Sequence, residues 1–157
     1  SALTQIALRL DPNIFRPTVQ RGASVPAETT DGMILTKVAV NGVPADLSAQ
    51  APGGGRGAGG APPAAGGAVR VSGLTLTNAR VSLPTPVPAK GSVTLEIEWN
   101  HKLPGGPGGQ GHRMTQRWAD TLFQPTQWYP RVGKYDDLRG WDTDGQLKPE
   151  TRNRLGL

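Results

Sequence analysis

The residues able to do chemistry are few and poorly spaced for it. His101 and His112 are the two imidazoles of the chain, eleven positions apart with Gly-rich sequence between them. A zinc-hydrolase helix needs two His at i and i+4, so that both imidazoles share one helical face, with an intervening Glu as general base. No His-Glu pair occurs here. The chain has no cysteine, which removes disulfides, thiol nucleophiles and zinc–thiolate sites together. Ser/His/Asp catalysis would need a base beside a nucleophile, and neither histidine sits in a recognisable nucleophile motif. Asp136-Asp137 is a carboxylate pair, but neighbours on a strand point to opposite faces and share a proton poorly. Ion pairs to Arg131 or Arg139 are the expected use of these aspartates. Asp142-Thr143-Asp144-Gly145 with Glu150 is too sparse for a calcium loop and reads as a turn. The expectation is no catalytic residue, no metal site and no cofactor.

The surrounding elements are those of a β protein. Gly 22 and Pro 15 make up close to a quarter of 157 residues, and aromatic content is 5%, so the core is modest and much of the length is loop. Ile6, Leu8 and Leu10 alternate with Ala7 and Arg9, the period of a half-buried strand, which Pro12 ends. Residues 16–32 read as loop. Residues 33–40 form a second strand, followed by Asn41-Gly42, the strongest short hairpin signal, and a return arm from Val43 to Leu47. Residues 51–68 are a low-complexity Gly/Pro/Ala-rich insertion that buries too little to offset its ordering entropy. Val69 to Thr77 and Arg80 to Leu83 give further β segments. Pro84, Pro86 and Pro88 read as an extended connector. Val93, Leu95, Ile97 and Trp99 alternate with Thr94, Glu96 and Glu98, the clearest strand of the chain. Pro104 to Gly111 is a second Gly-rich loop. A weak helical pattern falls near Arg117 to Leu122. Together these give an all-β fold, an antiparallel β-sandwich with Gly/Pro-rich loops and little or no helix, as a single module over 1–157.

The net charge is +5. Residues 1–100 hold 8 Lys/Arg and 6 Asp/Glu, and residues 101–157 hold 9 and 6. That even spread, without a basic run, argues against nucleic acid and leaves a solvated basic surface able to meet an acidic one. No stretch approaches the roughly 20 apolar residues of a membrane span. Ser1-Ala2-Leu3 has neither the basic nor the apolar region of a signal peptide, and the start at Ser1 suggests a processed form.

Three of the four Trp residues lie between 118 and 141. Trp118, Phe123, Trp128, Tyr129, Tyr135, Arg139 and Trp141 are therefore candidates for a packed core edge or a recognition surface. Here the chain becomes familiar. Phe123-Gln124-Pro125-Thr126-Gln127-Trp128-Tyr129-Pro130 and Tyr135-Asp136-Asp137-Leu138-Arg139-Gly140-Trp141-Asp142 resemble the N-terminal domain of the aminopeptidase N family of zinc metallopeptidases, of the bacterial secreted type. Leu8 to Phe15, Val38 to Gly42 and Gly91 to Trp99 resemble strands of the same domain, in the family's order. The resemblance implies a saddle-like β-sandwich covering one side of an active site whose zinc lies in a separate domain. It also implies that Gln124 is a remnant of the pocket for the substrate's N-terminus. The departures are large: the zinc helix and the Gly-x-Met-Glu-Asn amine-binding motif are missing, and Gly32-Met33-Ile34 is no version of the latter. After Asp142 the chain diverges into a tail over 143–157, and the family's opening strands have no counterpart in the sequence from Ser1. Open sheet edges then need covering.

The expected function is that of a non-catalytic accessory or structural subunit. It would dock on other protein subunits of a larger, periplasmic membrane-attached complex of respiratory or photosynthetic kind, without a membrane span of its own. Two alternatives stand beside it: the N-terminal part of a zinc aminopeptidase, contributing to the substrate cleft, and a peptide- or carbohydrate-binding module using Trp118, Trp128 and Trp141.

Overall fold

The first ladder forms between the segments richest in alternating apolar residues. In the computed structural model, which describes residues 2–19, 29–48, 68–104, 115–118 (backbone only), 122–138 and 140–142, strand β1 (Leu3–Arg9) pairs antiparallel with β5 (Asn78–Val87). Ile6 opposes Val81 and Leu8 opposes Ala79. Strand β4 (Val71–Ser72) adds to the far side of β5, and β9 (Arg131–Val132) to the far side of β1, giving a four-stranded sheet in the order β4-β5-β1-β9.

The second sheet is built on β2 (Met33–Val40), between β3 (Val43–Pro44) and β6 (Leu95–His101). Its hairpin turn is the expected one: Asn41 and Gly42 have φ of 48° and 80°, the positive values a two-residue loop requires. The return arm is two residues long, Val43–Pro44. One extra residue in β2 changes which side faces inward. The β2–β6 register shifts between Leu35 and Lys37, so Met33 and Leu35 are buried before the shift and Val38 and Val40 after it. A bulge of this kind flips the inward-facing set by one residue.

The two sheets close on one core. Ile6, Leu8, Val71, Ala79, Val81 and Leu83 of the first sheet and Met33, Leu35, Val38 and Val40 of the second belong to a single buried cluster. Each of these side chains except that of Ala79 contributes about 1.5–3 kcal/mol of transfer free energy. Two short hairpins complete the described chain: β7 (Thr115–Trp118) with β8 (Leu122–Pro125), and β10 (Tyr135–Asp136) with β11 (Gly140–Trp141). The fold is all-β, with antiparallel strand pairing throughout its ladders.

Several elements differ from the sequence reading. Pro84 and Pro86 lie within β5, not in a connector. They are tolerated because the β1–β5 register jumps from Gln5/Ser82 to Leu3/Val87, which leaves the prolines in an unpaired bulge where no ladder N–H is needed. The span from Val69 to Thr77 yields only the two residues of β4. Gly73 takes a φ of 74° and Leu76 N–H donates back to Gly73 O at 2.9 Å, so a turn replaces the strand. Where the helical pattern near 117–122 falls on described residues, Arg117, Trp118 and Leu122 are strand residues, with Trp118 opposite Leu122; cross-strand pairing overrides a weak local period. After Leu10 the chain forms a short 3-10 helix, Asp11–Phe15, where Pro12 sits at a position that tolerates its missing N–H. The insertion at 51–68, apart from Ala68, the loop at 105–111 and the tail at 143–157 lie outside the described residues.

Candidate functional site

Three aromatic residues, Trp99, Trp128 and Tyr129, come together at the rim of the second sheet. Trp99 is on the inward face of β6, opposite Leu35, and packs against the core only in part. Beyond β8 the chain turns at Gln127, whose φ is 55°, a left-handed conformation uncommon for a residue with a Cβ. The turn brings the Trp128 carbonyl to the Trp99 indole, which donates to it at 3.1 Å. The two indoles lie 5.8 Å apart at 40°, and Tyr129 meets Trp128 edge-on at 5.6 Å. The result is a three-ring ledge, Trp99–Trp128–Tyr129, anchored at its inner end and open at its outer end. Trp128 and Tyr129 remain 47% and 45% exposed.

Of the other candidates, Phe123 is 48% exposed on β8. Trp118 is on β7, with its backbone opposite Leu122; its side chain lies outside the described residues, as does Arg139. Tyr135 and Trp141 form a separate edge-on pair at 5.2 Å on the β10–β11 hairpin. Trp141 leans on the core cluster, and its indole donates to Gln5 O at 3.0 Å. The block at 123–142 thus divides into an exposed ledge and a clasp that fastens the last hairpin to β1.

Gln124 is exposed on β8, opposite Gln116, and flanks Phe123. Arg131 takes a different partner from the one expected. Asp136 Oδ1 accepts from Leu138 N–H at 2.7 Å, closing an Asx turn, and Arg131 pairs instead with Asp11. His101 is half-buried on β6, and burial holds its pKa below the ordinary 6.5 by disfavouring the imidazolium. His112 and the 143–150 acidic stretch lie outside the described residues. Among the described residues no three His, Asp or Glu side chains come together around a common point. No helix among them is long and apolar enough to cross a membrane.

Sequence reasoning missed a polar knot behind β2. Asn13 is fully buried. Its Nδ2 donates to Leu74 O at 3.0 Å and Leu76 O at 2.7 Å, and its Oδ1 accepts from Met33 N–H at 2.7 Å. One amide therefore ties the short helix to two segments some 20 and 61 residues away. The only sequence signal was an Asn after a Pro, which reads equally well as an ordinary turn.

No family model, curated protein or solved structure matches the chain. The fold and rim define an antiparallel all-β protein with an exposed aromatic ledge.

Proposed function

We propose that this chain is a non-catalytic β-sandwich, related to the N-terminal domain of the aminopeptidase N family, that docks on a larger protein assembly through its aromatic ledge. The observation that carries the reading is the Trp99–Trp128–Tyr129 row. Its inner ring is hydrogen-bonded and partly in the core, while its outer rings are left half in water. Pre-organised Trp and Tyr side chains of this kind lose little entropy on binding and supply much of an interface's free energy. Phe123 is a further exposed aromatic side chain, on β8. The host is an extracytoplasmic, membrane-attached complex, and the chain's net positive charge suits an acidic partner surface.

The test is site-specific photocrosslinking in the native cell. A photoreactive residue at position 129 is expected to join the chain to one dominant partner in near-stoichiometric yield, while the same group at Lys90 is not. A chain that stays monomeric and crosslinks to nothing from position 129 overturns the proposal.

A second reading is favoured by the exposure of Gln124 beside Phe123. In it the partner is a zinc peptidase domain, and Gln124 contributes to the cleft for the substrate's N-terminus. An open reading frame continuing past Leu157 into a His-Glu-x-x-His sequence would support this reading, and a partner without such a sequence would exclude it.

A further inference from the structure

A second recessed surface lies on the first sheet, lined by residues that the ledge does not use. The β10–β11 hairpin folds back toward β1. Gly133 N–H donates to Ala7 O at 2.8 Å, and the Trp141 indole donates to Gln5 O at 3.0 Å. Between this hairpin and the sheet opens a groove of about 340 Å³, bordered by Ala2 to Gln5, Arg80, Gly140, Tyr135 and Trp141.

Three features of the groove point to one class of ligand. The first is backbone. Strand β9 covers the outer edge of β1 only at Leu8 and Arg9, so among the described residues no strand pairs with Leu3 to Ile6 on that side. Apart from Gln5 O, which the Trp141 indole holds, an edge that no strand pairs offers its remaining main-chain donors and acceptors to an added extended segment. The second is charge. Arg80 is exposed on β5, and its guanidinium has no ion pair or hydrogen bond among the described residues, whereas the side chains of Arg9 and Arg131 both engage Asp11 and that of Lys37 engages Glu96. The third is the pair of rings: Tyr135 and Trp141 stand edge-on at 5.2 Å and give the groove an apolar wall beside its cation.

We propose that this groove binds an extended peptide segment carrying an acidic side chain. The segment lies along the Leu3–Gln5 edge of β1 and adds to the sheet through its main chain. Its carboxylate receives hydrogen bonds from the Arg80 guanidinium, the charge-assisted geometry that arginine suits best. Its apolar neighbour rests on Tyr135 and Trp141. The lining shares no residue with the Trp99–Trp128–Tyr129 ledge, so either surface can fail without the other.

The test is a titration of the full ¹⁵N-labelled chain with a short blocked peptide alternating Val and Glu, beside the same peptide with Gln in place of Glu. The Trp141 indole signal, assigned by triple-resonance experiments, is expected to shift with the Glu peptide. The Gln peptide is expected to bind about ten-fold more weakly, the loss of one charge-assisted hydrogen bond. Arg80→Gln, at an exposed position that the fold does not need, is expected to reduce binding of the Glu peptide to the level of the Gln peptide. Equal affinity for the two peptides, indifference to Arg80→Gln, shifts confined to the other indoles, or no shift at all would each overturn the proposal.

Discussion

Arg131 reaches across 120 positions of sequence to Asp11, donating from Nη2 at 2.7 Å and from Nε at 3.2 Å to the same carboxylate oxygen, Oδ2. The other oxygen accepts from Arg9 Nη2 at 3.3 Å. The Asp11 side chain is 10% exposed, against 33% for Arg131, so the carboxylate is nearly out of water while the guanidinium keeps partial contact with it. Removing the acid strands two cations at the edge of the core. Asp11→Ala is expected to cost about 2–3 kcal/mol, less than a fully buried pair would because Arg131 is partly solvated. Urea unfolding checks this: the midpoint falls with an unchanged slope.

The Asn13 knot gives a larger effect. Asn13→Ala leaves Leu74 O and Met33 N–H without their partner in a buried site, and Leu76 O in a partly buried one, at about 1–3 kcal/mol for each buried group before relaxation. The expected loss is about 4 kcal/mol, seen as a drop in urea midpoint. Asn13→Asp keeps the acceptor for Met33 N–H but presents a carboxylate to Leu74 O and Leu76 O, and should fare no better.

Gly32 tests the same knot from the other side. Its φ is 70°, and a Cβ there would lie 2.3 Å from Asn13 Oδ1 and 2.7 Å from Arg16 Cγ. Gly32→Ala must therefore displace the buried amide as well as adopt a left-handed conformation, which alone costs about 1–2 kcal/mol. Destabilisation at least equal to that cost is expected. Gly42→Ala, with a similar φ of 80° and nothing within 4 Å, isolates the backbone term and should cost less.

His101 predicts a pH dependence. Burial lowers its folded pKa below 6.5, so the unfolded chain binds the proton more readily. Stability is then complete above about 6.5 and falls as the pH drops through that value, levelling off once the folded pKa is passed. Comparing urea midpoints across this range for the parent and His101→Gln checks it: the decline belonging to this residue should vanish in the variant.

At the ledge, Trp128→Ala is expected to leave the fold intact, costing about 1 kcal/mol, because the ring is half exposed and loses mainly its contact with Trp99. The Trp99 indole then faces water, so tryptophan emission should shift to the red. Crosslinking from position 129 should fall with it, while the Arg80 groove still binds the Glu peptide.

Much of the sheet pattern could be read directly. The alternation from Leu95 to Trp99 and the Asn41-Gly42 turn each rest on a local rule, and both hold to within a few residues. What escaped was long-range. Thr36 and Lys37 show nothing locally of a bulge that lets Met33, Leu35, Val38 and Val40 all face inward; the partner strand β6 decides it. The prolines of β5 argued for a connector because local chemistry cannot show that β5 bulges there against β1. At the rim, composition marked the aromatic block but could not separate Trp128, which stands out, from Trp141, which fastens down. Nor could it pair Arg131 with Asp11, since Asp136 and Asp137 lay much closer along the chain.

Residues 131–141 hold the first strand in place through Gly133 to Ala7 and Trp141 to Gln5, and the short helix after it through Arg131 to Asp11. During synthesis at about 5–20 residues per second, β1 leaves the ribosome on the order of ten seconds before its last partner does. For that interval its outer edge is bare, and the nascent chain is open to capture by another strand. A chaperone that shields Leu3–Arg9 would protect the molecule when it is most vulnerable.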